Sequence, residues 1–283
     1  MTDLVKEHTS DKLSGYRTAH RFRHYGEFRT LDEFKELRAW AKERSLPVYI
    51  LGNGSNTFFA HSTVNSLVLV NKMPRVLEPI EGDPGHLRVS AATLIATILK
   101  HCRANSLDAP YYLASVPASV GGALAMNAGR GHEHNRTIYD FCETLTVLDE
   151  DDQLHTLKHT QVPRAYRTTP FTGVKPVLIV EATLRFESKH LEKDFIAERV
   201  AWSKTYQDHR APNCGSVFKR SHFPLLWKLR YLRYGKTRFS RKTLNWLLCE
   251  SKSPTGLRVL IATVRIIHRL FGKKAVPEVI IVE

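Results

Sequence analysis

The chain has 283 residues, 42% hydrophobic and 25% charged, with 42 Lys and Arg against 28 Asp and Glu and a formal net charge of +14. That length and balance exclude a disordered or fibrous chain and leave room for roughly two domains with a sizeable core. No apolar run approaches the ~20 residues needed to cross a bilayer, and MTDLVKEHTSDK lacks the apolar stretch of a signal peptide, so a cytoplasmic address is expected.

Residues 1–25 are polar and irregular and read as a loosely held lead-in. Thr30-Leu31-Asp32-Glu33 is a T-x-x-E capping box, and Leu31, Phe34, Leu37, Ala39 and Trp40 follow at helical spacing, which predicts a helix to about Ser45. Pro47 then opens a short buried strand, Val48 to Leu51, that runs into the small-residue loop Gly52-Asn53-Gly54-Ser55-Asn56. Leu67–Val70 and Leu87–Ala91 read as strands separated by the turn material Glu81 to Gly85, and Thr93 to Cys102 as a helix.

The stretch Ser115–Gly131, SVPASVGGALAMNAGRG, carries four glycines and six Ala or Ser in seventeen residues. Without bulky side chains its backbone N–H groups are approachable, and a concave run of such groups binds a phosphate or a planar cofactor. Alone, the stretch reads equally well as a tight turn. Together with Gly52–Asn56 it points to one ligand held from two sides.

Thr144–Leu148 and Leu154–Leu157 form a predicted hairpin around Asp151-Asp152, and Val177–Phe186 a longer strand. Composition shifts near residue 188. Beyond it a charged helix is expected over Leu191–Asp208, a second from Thr255 or Gly256 to Phe271 after the start signal Ser253-Pro254, and a last strand over Val276–Val282. The order is α+β twice over, with no internal repeat.

Cys102, Cys142, Cys214 and Cys249 are scattered with no C-x-x-C pair, so neither a zinc site nor a disulfide framework is expected, only reduced, buried thiols. His132 and His134 have chelating spacing but no evident third ligand, so no metal site is expected. Residues 217–242 hold nine Lys or Arg and no acid, interleaved with Trp227, Tyr231, Tyr234 and Phe239. Such a mixture suits nucleic acid, an anionic membrane surface, or a pocket for a phosphorylated small molecule, and charge alone does not choose among them.

Five motifs stand in one order: LPVYILGNGSN at 46–56, VPASVGGA at 116–123 with MNAG at 126–129, Tyr166-Arg167 ahead of Phe171, GSVFK at 215–219, and Pro277-Glu278-Val279. In this set the chain, over roughly residues 28–283, resembles the UDP-N-acetylenolpyruvoylglucosamine reductase (MurB) family, flavoproteins with a PCMH-type FAD-binding domain. The resemblance implies an α+β fold with a two-part FAD-binding domain of the vanillyl-alcohol-oxidase-like type at 26–187, its parts meeting near residue 72. A smaller α+β substrate domain would follow at 188–283. It implies non-covalent FAD held by Leu51, Gly52, Asn53, Gly54, Ser55 and Asn56 from one side. Ser115, Pro117, Ser119, Val120, Gly121, Gly122, Asn127 and Gly129 would hold it from the other.

In such a family NADPH or NADH reduces FAD, and the flavin hydride passes to an enolpyruvyl double bond during peptidoglycan precursor formation. By resemblance Arg167 and Glu278 would stabilise the enolate, Glu278 only when protonated or water-bridged, and Ser216 would deliver the proton. Read singly, Arg167 is a surface cation, Ser216 a turn residue after Gly215, and Glu278 an exposed strand charge.

Departures fall on the substrate side. HRFRHY at 20–25 replaces the family's T-F-R-x-G-G, RGHEHNR at 130–136 replaces a tyrosine-bearing loop, Arg220-Ser221 replaces Asn-Pro, and Thr243 stands where S-x-x-H-A-N-F has histidine. A phosphorylated or nucleotide-linked small molecule remains the expected substrate, with Tyr166, Lys219, Tyr231, Arg238 and Asn245 as candidate contacts. The alternatives are a PCMH-fold oxidoreductase acting on a different enol or enoyl substrate, and a non-catalytic basic binder. No nucleic-acid motif supports the last, while peripheral contact with anionic surfaces through 217–242 stays open.

Overall fold

Chain order explains the first layer of the protein, which is described for residues 4–130 and 135–283 in a computed structural model. Strand β1 (Lys6–Ser10) pairs antiparallel with β2 (His20–Phe28), and α1 (Leu31–Glu43) crosses over to β3 (Val48–Leu51). Strand β4 (Thr57–Phe59) leads into β5 (Thr63–Asn71), which lies parallel between β2 and β3, giving the order β1-β2-β5-β3. Alternate residues of β5 face opposite ways. Leu67 and Leu69 pack with Phe34, Leu37 and Ala41 of α1, while Val64 and Val68 pack with Phe22, Tyr49 and Phe59. Burial on both faces is why this strand reads as a continuous apolar run.

Thr30 caps α1 as expected, its hydroxyl accepting from Glu33 N at 3.1 Å. The return arm differs by one residue, because the Glu33 carboxylate accepts from Arg29 N rather than Thr30 N.

The lead-in expected over residues 1–25 is instead largely ordered. Besides β1 and most of β2 it contains Tyr16, fully buried, and Ser14, whose hydroxyl donates to Thr57 O at 2.6 Å. Gly15 N donates to Gly54 O at 2.9 Å. The polar stretch KEHTS joins the sheet through its backbone and leaves its side chains mostly to solvent, as an edge strand does, so its composition carried no strand signal.

The second sheet is antiparallel throughout. It runs β11 (Leu154–Lys158), β10 (Cys142–Leu148), β12 (Leu178–Arg185), β7 (Asp83–Ser90), β6 (Leu77–Ile80). The turn expected over five residues tightens to Glu81-Gly82, both at positive φ (52° and 77°), and Asp83 already faces Ile80. Helices α2 (Ile95–Ala104) and α3 (Val120–Ala125) share this sheet's core, among them Ile98, Leu99, Val120 and Leu124 against Leu87, Leu145 and Leu184. A short pair, β8 (Gly129–Arg130) and β9 (Arg136–Thr137), follows α3. The His132 and His134 pair lies outside the described residues, as does the rest of 131–134.

The remaining chain begins with α4 (Phe195–Tyr206), β13 (Phe218–Arg220) and α5 (Phe223–Lys228). Strands β14 (Arg233–Tyr234), β15 (Thr237–Phe239) and β16 (Leu247–Cys249) form an antiparallel ribbon beside α6 (Thr255–Leu270). Val217, Leu226, Phe239, Leu260, Ile261 and Val264 share one core with Tyr16 and Phe58 from the opening part of the chain. The strand expected over Val276–Val282 is broken in two. Val276–Pro277 (β17) pairs with β13, Ile280–Val282 (β18) pairs parallel with β4, and between them Glu278 N donates to Val217 O at 2.7 Å. All four cysteines are buried and unpaired. No helix among the described residues is long and apolar enough to cross a membrane.

Candidate active site

The first small-residue loop leaves β3 after the buried Leu51 and turns at Gly54, whose φ of 67° suits only glycine where the Leu13 backbone crowds it. Asn53 Nδ2 donates to Pro117 O at 2.8 Å, which ties this loop to the second one. Asn56 Nδ2 donates to Glu278 O at 3.1 Å, which ties it to the break between β17 and β18.

In the second loop Ser119 caps α3, its hydroxyl accepting from Gly122 N at 3.2 Å. A Cβ on Gly52 would come within 2.9 Å of Ser119 Oγ, and one on Gly121 within 2.9 Å of Ala91 Cβ. The glycines therefore serve two ends. Gly121 lets α3 lie on the residue after β7, whereas Gly52 and Gly122 keep open the gap between the loops.

That gap is part of a cavity of about 340 Å³ lined by Gly52 to Asn56, Ser119, Gly122, Met126, Gly129, Arg167, Ser216 and Glu278. Past Gly52, Asn53, Ser119 and Gly122 it is continued by a space of about 120 Å³ beside Gly121, Arg75 and Lys175. A flat, phosphate-bearing group fits such a slot, with short hydroxyls and backbone groups on the walls and cations at the far end. Asn127 Nδ2 donates to Ala165 O at 3.1 Å, while its buried Oδ1 has no partner among the described residues. Among the described residues there is no cluster of three or more His, Cys, Asp or Glu that would hold a metal.

On the lining of the same cavity, Arg167 Nε donates to Glu278 Oε1 at 3.0 Å, with side-chain exposures of only 17% and 13%. Two more guanidinium bonds run to backbone carbonyls, Nη1 to Asn127 O at 3.3 Å and Nη2 to Gly129 O at 2.5 Å. Arg167 itself holds a left-handed φ of 54°, an uncommon and costly state for a branchless cation that the surrounding bonds maintain. Burial pushes the Glu278 carboxyl above its ordinary range, although the charges of Arg167 and Lys219 pull the other way. Ser216 follows Gly215 (φ 73°) and bridges backbone to backbone with Trp246, and both line the cavity. An arginine, a carboxyl whose burial favours its protonated form and a serine hydroxyl lining one cavity are the groups that hold a developing carboxylate or enolate and return a proton to the adjacent carbon.

Several expected residues stand elsewhere. Val120 is in the core of the second sheet, and neither Ser115 nor Pro117 lines the cavity, although the Pro117 carbonyl fixes Asn53. Lys219 donates to Thr168 Oγ1 at 2.5 Å, one step behind the Arg167–Glu278 pair. Asn245 is not on the cavity wall, because its amide clamps β13, donating to Phe218 O at 2.7 Å and accepting from Phe218 N at 3.1 Å. Arg238 pairs with Glu250 at 2.9 Å. Tyr231 is exposed at the surface, and Tyr166 is half exposed with its ring 5.1 Å from the Arg167 guanidinium. Conversely, Tyr112, Arg199, Gln207 and Trp246 line the cavity without having been singled out. Arg199 reaches it from α4, where its Nε donates to Tyr112 O at 3.1 Å, and nothing in the sequence of that helix marks its one arginine as facing a cavity rather than solvent.

A profile of the FAD binding domain family matches residues 24–158. UDP-N-acetylenolpyruvoylglucosamine reductase of Listeria monocytogenes serotype 4a (strain HCC23) is 32% identical over 199 residues, which cover 69% of this chain and 64% of that protein. The protein of the same name from Desulforamulus reducens is 28% identical over 225 residues, covering 77% of this chain and 72% of its own. The chain thus spans about 64% of the length of the Listeria relatives it matches. A crystal structure of UDP-N-acetylenolpyruvylglucosamine reductase (MurB) from Thermus caldophilus covers 99% of this chain and 100% of its own, with a TM-score of 0.75 at 20% identity, a likeness of fold.

Proposed function

The chain belongs to the UDP-N-acetylenolpyruvoylglucosamine reductase family of PCMH-type FAD-binding flavoproteins, and on that premise we propose that it reduces the enolpyruvyl double bond of a UDP-linked sugar, with NADPH or NADH as electron donor. The observation that carries this reading is that the Arg167–Glu278 pair and Ser216 line the same cavity as residues of the two small-residue loops.

FAD would lie between Gly52–Asn56 and Ser119–Gly122, where it would supply the hydride for the double bond. The chain's own residues supply the rest. Arg167, fixed by three hydrogen bonds, offers a preorganised cation for the substrate carboxylate as that group gains enolate character. Burial pushes the Glu278 carboxyl upward, and in its protonated form it donates to the same charge without adding a second anion. Ser216 gives its proton to the carbon that hydride leaves electron-rich. A serine is a weak acid, but an enolate is basic enough to take the proton over a short contact. Arg199, which lines the cavity, is the cation offered to a diphosphate, in place of Lys219, Tyr231, Arg238 and Asn245.

The test is spectroscopic. The purified protein should carry a flavin that NADPH bleaches anaerobically and the UDP-enolpyruvyl sugar restores. A protein that cannot be loaded with FAD, or whose reduced flavin that sugar leaves untouched, would refute the reading.

A further inference from the structure

The basic, aromatic stretch after Ser216 does not take part in the cavity described above, and α5 shows what its pattern builds. Leu226 is buried in the core beneath the helix, whereas Phe223 and Trp227, one turn apart, face solvent at 64% and 49% exposure. Their rings stack on each other, with centroids 6.2 Å apart and an interplanar angle of 26°. Arg230 continues the row, its guanidinium 4.0 Å from the Trp227 centroid and 4.4 Å from that of Tyr231, and Arg241 covers Tyr231 from 5.4 Å. Among the described residues neither these two arginines nor Lys228 and Arg233 has a carboxylate partner, unlike Arg238, which pairs with Glu250.

We propose that α5 and the segment following it form a docking surface for the headgroup layer of an anionic lipid bilayer. A local excess of unpaired cations calls for a polyanionic partner. The rings decide which kind. A single-stranded nucleic acid stacks its bases on free aromatic faces. Here the Trp227 and Tyr231 faces are already occupied by guanidinium groups or by a neighbouring ring. What the surface offers is ring edges beside cationic heads, the combination that settles at a membrane–water interface. The docking reading does not depend on the proposed reaction.

The experiment is co-sedimentation of the FAD-loaded full chain with vesicles of phosphatidylcholine alone and of phosphatidylcholine containing phosphatidylglycerol. Binding is expected only to the second kind, and it should weaken as salt is added. The triple variant Arg230→Gln, Arg233→Gln, Arg241→Gln should bind about a hundredfold more weakly, at roughly fivefold per charge, while keeping its flavin spectrum and thermal midpoint. Phe223→Ser with Trp227→Ser should also lower binding, and that loss should persist at high salt. The proposal is overturned by equal binding to both vesicle types, by no binding to the anionic ones, or by a triple variant that binds as tightly as the parent. Tighter binding of the parent to a single-stranded oligonucleotide than to the vesicles overturns it in favour of nucleic acid.

Discussion

Gly52→Ala tests whether the two loops form one slot. Gly52 does not hold a left-handed φ, so alanine is allowed by its backbone and should, by stiffening the unfolded chain, stabilise the protein by about 0.4–1 kcal/mol. Its Cβ, however, would lie 2.9 Å from Ser119 Oγ, closer than such contacts occur, and the hydroxyl must rotate away from Gly122 N. Losing that cap costs about 1 kcal/mol, so the flavin-free protein should unfold at nearly the parent's denaturant midpoint. Cofactor affinity should not be spared, because the new methyl occupies the gap itself. A loss of about tenfold, equivalent to about 1.4 kcal/mol, is expected in a fluorescence titration with FAD. Ser119→Ala alone should destabilise by about 1 kcal/mol. In that background Gly52→Ala meets no hydroxyl and should become stabilising, giving a coupling of about 1 kcal/mol between the two positions. Additivity within about 0.3 kcal/mol, together with parental FAD affinity, would show that the loops do not share a slot.

Ser216→Ala should leave flavin reduction by NADPH near the parental rate and slow the substrate half-reaction by roughly 100-fold or more, whereas equal loss in both halves would make Ser216 structural. Glu278 has a raised pKa, so it loses its proton as pH rises through that value and then repels the substrate carboxylate. Single-turnover reoxidation should therefore slow on the alkaline side, and Glu278→Gln should flatten that limb at a lower plateau; an unchanged profile would remove Glu278 from the reaction. Asp208 is held well below the usual carboxylate range, chiefly by Arg210 at 2.8 Å and also by the Ser240 hydroxyl at 2.7 Å. A depressed folded pKa gives stability that is present above the unfolded value of about 4 and is lost on acidification. Asp208→Asn should accordingly cost about 2–3 kcal/mol in urea unfolding at neutral pH. The gap to the parent should close as pH falls, and a constant gap would mean that the charge is not what matters.

The parts of the site that could be read in the sequence are those whose reason is local. Gly52, Gly54 and Gly122 announce themselves because a backbone that must be approached, or must turn left-handed, excludes side chains wherever it sits in the fold. Thr30 is similar, since a cap and its helix are neighbours in sequence. Asn245 shows the opposite case. An amide after a basic, aromatic run looks like a ligand contact, and only the approach of β13, from nearly thirty residues earlier, makes it a backbone clamp. Val276–Val282 likewise has continuous strand character, and the break at Glu278 is imposed by the distant Val217 carbonyl. Polar Lys6–Ser10 becomes a strand because β2 offers it an edge, and Arg199 enters the cavity because α4 is rotated to place it there. No local pattern encodes either event.

Glu278 sits between two pairings that belong to different sheets, β17 with β13 on one side and β18 with β4 on the other. Mechanical load on either strand is therefore transmitted to the carboxyl within two residues. An affinity handle or reporter joined after Glu283 pulls on β18, and the Glu283 carbonyl is itself held by Ser66 Oγ at 2.8 Å. Labels are better placed on the β6–β7 hairpin at the exposed Glu81, leaving Gly82, at its left-handed φ, as glycine.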